Sequence, residues 1–449
     1  MDETKLNILI CGLTSDSSLL FIPLYKFLKS AKHRIEFFVP EYSGAVCLIE
    51  QKITYIQLKD FGRESELDSN DKNLLKTCLD YDLKQNNLNS NPIKAIKKRQ
   101  ILREGRDLFK VCKRHINKDE IDLVIVWGGI RLYSNIPSAI AKKNNIKCIF
   151  IEKGLYPYTL QIDSQGVNGL GKLKEKFSSL LDLNDSNSIE FYQSLMKEKW
   201  FSSQPLDTVQ IKNKLKYFFK QLSIDELFIK LYHKYFETKL LRKFLYKKNW
   251  EVTDPIRSSE RINELGYIFI PFQVYDDSQL LIQDNWITDN ITLVKSVIKS
   301  LQDLEIKRKI IIKEHPREFR KIDYKKILKD NDICFSTAGT IDLISESKLI
   351  VTINSTVGFE ALVFCKPVLI TGSALYESLP YITKVNNQAD LTLNIEKYIC
   401  SEYNFDKIEI NRSVSSVYNK LVQCNYVSPS GVEINNLWQK ILELITVKG

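Results

Sequence analysis

Apolar positions along this chain fall into short runs that alternate with longer, periodically apolar segments. The short runs lie at 6–10, 35–39, 121–126, 146–151, 266–271, 308–313, 349–353 and 367–370, with a further short one at 333–335. Near-continuous runs of this length, bounded by glycine, proline or polar residues, predict strands buried on both faces. Between them the spacing predicts helices over 19–28, 96–115, 137–143 and 288–303, and a last one over about 432–444. Strand and helix in alternation predict parallel sheets of the α/β class. The pattern breaks twice. Residues 60–120 are mostly polar, with a loop expected at 86–91, and residues 170–250 read as helices rich in Lys, Leu, Phe and Tyr.

Length turns this pattern into two units, because 449 residues exceed one ordinary core. The expected organisation is a Rossmann-like domain over 1–170, a helical insertion over 171–255 and a second Rossmann-like domain over 256–427. A C-terminal helix over 428–449 then crosses back to the first domain. No apolar run reaches the ~18 residues of a membrane span. The acidic start, Met1-Asp2-Glu3-Thr4, leads directly into a strand and does not resemble a signal peptide. Together these predict a cytoplasmic protein.

Charge adds one feature. The net charge is +10, and residues 211–250 hold 11 Lys/Arg against 3 Asp/Glu, which is +8 of it. That stretch reads as an insertion packed on the domain body, or as a basic, aromatic surface for anionic lipid. No base-reading module accompanies it, so nucleic acid is not an expected partner. Nine scattered cysteines without a close pair, Cys11, Cys148 and Cys334 among them, read as free thiols. The four histidines are far apart, none with a second at helical spacing, and no metal site is expected.

The candidate chemistry sits where strands end. After the first strand comes Gly12-Leu13-Thr14-Ser15-Asp16-Ser17-Ser18, a polar turn into a helix but no dinucleotide fingerprint. Glu152 ends a strand, and Asp163 follows eleven positions later in a stretch read as a loop. Two carboxylates there offer a nucleophile or a general base, or else a backbone cap and a turn residue. Pro271 to Gln279 brings Gln273 and Gln279 as neutral hydrogen-bonders, with Asp276 and Asp277 read as a strand end and helix cap. Lys313-Glu314-His315-Pro316 follows another strand, with Arg317 and Arg320 nearby, and suits a phosphate or carboxylate. Asn354-Ser355-Thr356 precedes a helix whose first turns carry Glu360. Hydroxyls there suit a phosphate, and Glu360 suits ribose or the helix dipole.

Four of these segments, EKGLYPYTLQIDSQGVN, PFQVYDDSQ, KEHP and NSTVGFEALVFCKPV, together resemble the bacterial capsule polysaccharide biosynthesis and export family. The resemblance covers about residues 121–372. Its characterised members are retaining transferases for β-Kdo (3-deoxy-D-manno-octulosonic acid), with a two-domain, GT-B-like fold and a CMP-activated sugar. The resemblance implies a CMP-sugar donor, CMP-β-Kdo foremost, and a lipid or glycolipid acceptor, without a cofactor. His315, Pro316, Lys313, Ser355 and Thr356 would hold the nucleotide phosphate and Glu360 its ribose, with Asn354, Gln273 and Gln279 around them. Asp163 and Glu152 would be the catalytic pair. Relatives of the lipid-initiating kind work at the inner face of the cytoplasmic membrane, which makes an anionic membrane surface and other capsule biosynthesis proteins further expected partners. A CDP-glycerol-type phosphotransferase, another nucleotide-sugar transferase and a non-catalytic capsule assembly protein stay open as alternatives.

Overall fold

A computed structural model describes residues 5–14, 16–39, 42–56, 67–87, 93–117, 120–177, 187–201, 266–275, 277–282, 286–316, 318, 332–401 and 404–446. The basic stretch 211–250, Arg317, Arg320 and Asp276 lie outside the described residues. Two six-stranded sheets organise the chain. The first contains β1 (Asn7–Cys11), β2 (Arg34–Phe38), β3 (Leu123–Trp127), β4 (Lys147–Lys153), β5 (Thr159–Asp163) and β12 (Val422–Gln423), in the order β12-β5-β4-β3-β1-β2. The second contains β6 (Ile268–Pro271), β7 (Ile310–Lys313), β8 (Ile333–Phe335), β9 (Leu349–Thr352), β10 (Val368–Ile370) and β11 (Ile382–Lys384), in the order β11-β10-β9-β6-β7-β8. Every pairing is parallel except β4 with β5 and β5 with β12. This is a GT-B-like pair of α/β domains.

The helices are α1 (Ser18–Ser30), α2 (Tyr42–Glu50), α3 (Ser69–Asn87), α4 (Ile93–His115), α5 (Leu132–Lys143), α6 (Leu173–Phe177) and α7 (Ile189–Phe201). After the second sheet begins come α8 (Ser278–Ile282), α9 (Asn290–Asp303), α10 (Thr340–Glu346), α11 (Val357–Val363), α12 (Gln388–Cys400), α13 (Lys407–Lys420) and α14 (Gly431–Thr446). On one face of the first sheet α1 and α14 bury Leu20, Leu24, Leu437 and Trp438 against Ile8, Ile10 and Ile151. On the other, α3, α4 and α5 bury Leu79, Leu108 and Ile136 against Val124 and Phe150. Helix α14 starts with a reciprocal cap: Ser430 N donates to Glu433 Oε2 at 2.8 Å, and Glu433 N donates to Ser430 Oγ at 3.3 Å. The chain thus returns to the first sheet from Val422 onward.

Among the elements that depart from the sequence pattern, two bear on the site. Residues 159–163, expected as loop, form the buried strand β5. Gly154 allows the hairpin: its N–H donates to Thr159 O at 2.8 Å, and a Cβ there would lie 2.2 Å from Thr159 Oγ1. Helix α3 runs through polar sequence with no strong apolar stripe. Its anchor is Asp71, whose carboxylate accepts from Lys113 of α4 and from Lys143 of α5, the latter at 2.8 Å. Those lysine stems cover Asp71, and its side chain is only 1% exposed although it lies near the surface. Burial alone would raise its pKa, but the two lysines outweigh that and lower it.

Candidate functional site

In each sheet the strand order reverses direction once, between β1 and β3 in the first and between β6 and β9 in the second. Crevices at such reversals, beyond the carboxyl ends of the strands, are where open α/β sheets bind ligands. The first crevice is made by glycine. Gly12 follows β1 with φ +75°, and Gly128 and Gly129 follow β3 with φ +72° and +101°. A Cβ on Gly12 would meet Ser134 Oγ at 2.7 Å, and one on Gly129 would meet the Phe150 ring at 2.5 Å. These turns therefore pass closer to their neighbours than a side chain permits.

Glu152 stands one strand over, at the end of β4. Its Oε2 lies 3.4 Å from where a Gly128 Cβ would be, and its Oε1 accepts the Lys153 N–H at 2.9 Å. Part of the residue reaches solvent, yet protein crowds its carboxyl. Burial raises its pKa, against the smaller pull of the Lys153 N–H and of the Lys153 and Arg131 charges. A second group arrives from the far end of the chain. Tyr426 lies beneath Lys153, whose Nζ is 5.1 Å from the ring centre. Its hydroxyl pKa is raised by burial first, then by Tyr158, Glu152 and Asp16. Tyr158, Glu152 and Asp16 are thus close enough to act on the Tyr426 hydroxyl.

Asp163 comes close to Glu152 through the sheet register. Glu152 pairs with Gln161 and Phe150 pairs with Asp163, so all four project from one face. Glu152 and Asp163 are diagonal neighbours, about 7–8 Å apart at the backbone. Asp163 is buried at 5% exposure and organises the following loop. Its Oδ1 accepts from Gln165 N at 2.6 Å and Gly166 N at 3.3 Å, and its Oδ2 accepts from Leu173 N at 2.7 Å. Gln161 and Asn168 brace the same loop: Gln161 Nε2 donates to Asn168 Oδ1 at 2.8 Å, and Asn168 N donates to Gln161 Oε1 at 2.7 Å.

The second crevice is closed by amides. Gln273, after β6, and Asn354, after β9, are both buried and bonded to each other. Gln273 Nε2 donates to Asn354 Oδ1 at 2.8 Å, and Asn354 N donates to Gln273 Oε1 at 3.2 Å. Asn354 Nδ2 also donates to Gln279 O at 3.2 Å. These residues form the seam of the sheet. Asp277 accepts the Gln279 N–H at 2.9 Å, as a helix cap does. Lys313 ends β7 and donates to Ala338 O. His315 is partly exposed, its carbonyl accepts from Glu318 N at 2.9 Å, and Pro316 is exposed. Ser355 Oγ accepts from Val357 N at 3.3 Å, while Thr356 is exposed and makes no side-chain cap to α11. His315 and Ser355 follow strands on either side of β6, roughly 10 Å apart.

Glu360 lies inside α11 and is 1% exposed. Its charge adds to the burial that raises the pKa of Tyr376. The Tyr376 hydroxyl donates to Ser355 O, in space that exists because residue 358 is glycine. Among the described residues no group of three His, Cys, Asp or Glu side chains could hold a metal ion. No described helix is long and apolar enough to cross a membrane. Arg131, Tyr158 and Tyr426 were not singled out from the sequence. The turn at 128–129 is visible there as a strand end, but nothing local at Tyr426 tells of its place beside Glu152.

The chain belongs to the family described as capsule polysaccharide biosynthesis protein, whose model matches residues 122–397. It is similar to Protein FixF of Sinorhizobium fredii, 26% identical over 290 residues, which is 63% of this chain and 57% of FixF. It thus spans little more than half the length of that relative. The capsule polysaccharide modification protein LipB of Neisseria meningitidis serogroup A is 25% identical over 322 residues, covering 65% of this chain and 73% of LipB. Among solved structures, Thermosulfurimonas dismutans KpsC, beta Kdo 2,7 transferase, aligns with a TM-score of 0.33 and 18% identity over 69% of this chain and 79% of that one.

Proposed function

We propose that the protein is a glycosyltransferase of capsule polysaccharide biosynthesis that moves a sugar, Kdo from CMP-β-Kdo foremost, to a lipid or glycolipid acceptor. The observation that carries the reading is Glu152, a crowded carboxyl with a raised pKa near the strand-order reversal of the first sheet, with Asp163 a diagonal neighbour on the same sheet face. Family membership supports the biosynthetic setting. In the double displacement, an Asp163 oxygen attacks the anomeric carbon and the bond from that carbon to the phosphate oxygen breaks. CMP leaves with the electron pair. Glu152 then takes the proton of an acceptor hydroxyl, whose oxygen attacks the same carbon and releases the Asp163 carboxylate. The three backbone bonds to Asp163 have to loosen for the first attack. His315, Lys313 and the turn at Ser355 and Thr356 stabilise the charge that develops on the phosphate.

The test is a donor screen with CMP-Kdo, CMP-sialic acid, UDP-sugars and CDP-glycerol against lipid acceptors, read by the mass added to the acceptor. Addition of Kdo is expected. Addition of glycerol phosphate overturns the reading in favour of a phosphotransferase, and turnover with a UDP-sugar alone overturns the donor. Asp163→Ala should abolish transfer while CMP still binds, and a trapped sugar ester should appear on the Asp163 peptide. Near-normal turnover in that variant removes the nucleophile role. His315→Ala should weaken CMP binding.

The basic stretch 211–250 serves in this proposal as a peripheral contact with anionic lipid at the inner face of the membrane, each cation worth up to about 1 kcal/mol. Salt should strip the protein from anionic vesicles, and equal binding to neutral vesicles argues against the contact.

A further inference from the structure

We propose that the cup between α3, α5 and the loop after β5 is a carbohydrate subsite that holds one hydroxyl-rich, pyranose-sized ring of the acceptor. This rests on the transferase reading above. The cup has a volume of about 210 Å³. Pockets for drug-sized ligands begin at roughly 300 Å³, so this one suits a single ring rather than an oligosaccharide. Phe150, Tyr81 and Ser138 line it and are buried, whereas Thr77, Asp80 and Lys142 line it and are exposed. Aromatic carbon in the lining and polar groups at the rim suit a sugar, which has C–H groups to pack and hydroxyls to bond.

Its floor is tightly built: Gly129 packs directly on the Phe150 ring, where a Cβ would strike it, and Ser138 lines the cup from a buried position on α5. The cup is open at its polar rim, so a ligand can enter it from solvent. Its charge narrows the class. Lys142 Nζ donates to Gln165 O at 2.9 Å and stands 4.5 Å from the Phe150 ring centre. Of its three donors, that bond uses one. Asp80 is paired with Lys84 at 2.8 Å. Among the described lining residues Lys142 is the one cation, which fits a neutral or singly acidic sugar better than a phosphate.

Position supplies the link to the reaction. Gly128 lines the cup, and the same glycine backs the Glu152 carboxylate. Phe150 and Glu152 project from one face of β4, two residues apart. A ring in the cup therefore places its neighbouring hydroxyl one glycine turn from Glu152.

The experiment uses the full chain and methyl glycosides of a hexose, an N-acetylhexosamine, a hexuronic acid and Kdo, with binding read by saturation-transfer NMR. At least one should bind, and its affinity should fall at least about tenfold, or 1.4 kcal/mol, in Ser138→Phe and in Thr77→Trp. The first fills the floor. The second covers the rim from an exposed position, and cooperative thermal unfolding shows that each variant is folded. In transfer assays the acceptor KM should rise by a similar factor. Absence of glycoside binding by the natural chain, or binding that survives both substitutions, overturns the subsite. Failure of every donor to release nucleotide, with glycoside binding lost in both variants, overturns the transferase reading and leaves the sugar site standing.

Discussion

Glu152 carries opposite demands, and its protonation exposes them. Burial raises its pKa, so the folded chain holds this proton at pH values where the unfolded chain has released it. Stability is then lost as pH rises from ~4.3, the ordinary glutamate value, through the raised one. Glu152→Gln keeps an acceptor for the Lys153 N–H and abolishes that loss. It should be at least as stable as the natural chain at neutral pH, by thermal unfolding, while transfer falls about 10²–10⁴-fold. In the natural chain a general base must be ionised, so the acid limb of the kcat/KM profile should lie above ~4.3. An acid limb at the ordinary value, or a Gln variant with full turnover, removes Glu152 from the chemistry. Gly358 is constrained by space alone. An alanine Cβ would lie 2.4 Å from the Tyr376 hydroxyl and 3.0 Å from Cζ. Gly358→Ala should destabilise by about 1–3 kcal/mol in urea unfolding, and adding Tyr376→Phe should recover part of it.

Helix α3 is held by partners outside itself. Asp71 receives Lys113 and Lys143, and Asp82 in the last turns of α3 accepts the Leu132 N–H at 3.0 Å and so caps the start of α5. The Asp71 pKa is lowered despite its burial. Its contribution is therefore present above ~3.9 and lost as pH falls through the folded value. Asp71→Asn should cost about 1–2 kcal/mol at neutral pH, the lysines being half exposed. The difference from the natural chain should shrink in acid below that value. A constant difference across pH would show that the ion pairs are not its source. The same distant cap explains why α5 begins at Leu132 although Pro137 looks like a helix start in the sequence.

At the level of the molecule, the hairpin between β4 and β5 joins the two domains. Tyr156 is 2% exposed, packs edge-on against Phe359 and Tyr418 at 5.2 Å, and donates to Val414 O at 2.9 Å. Lys174 of α6 pairs with Glu377 at 3.1 Å, and α7 packs on the core of the second sheet. Helix α8 touches α3. Tyr156→Ala should cost about 3–5 kcal/mol and split thermal unfolding into two transitions. Tyr156→Phe should cost about 1 kcal/mol and leave one. A single transition in the alanine variant would mean that other contacts suffice to couple the domains.

The α/β class was legible in the chain because parallel strands buried on both faces must be apolar throughout, as in NILIC, LVIVW and LIVT. The strand ends that carry Glu152, His315 and Asn354 were legible for the same reason, since polarity resumes where burial stops. Strand β5 was not, because Gln161 and Asp163 are polar and find their partners on β4, in the following loop and at the start of α6. Nor was α3, whose anchors lie on α4 and α5. Sequence offers Gln273 and Gln279 as neutral hydrogen-bonders, but that Gln273 bonds Asn354 across the sheet is visible only in the structure. Tyr426 lies 274 positions beyond Glu152 in the chain, and the return through β12 brings them together. Local pattern reports which residues must be buried, because each apolar side chain meets the same water. Which polar groups meet, and what they can then do, depends on contacts between residues far apart in the chain.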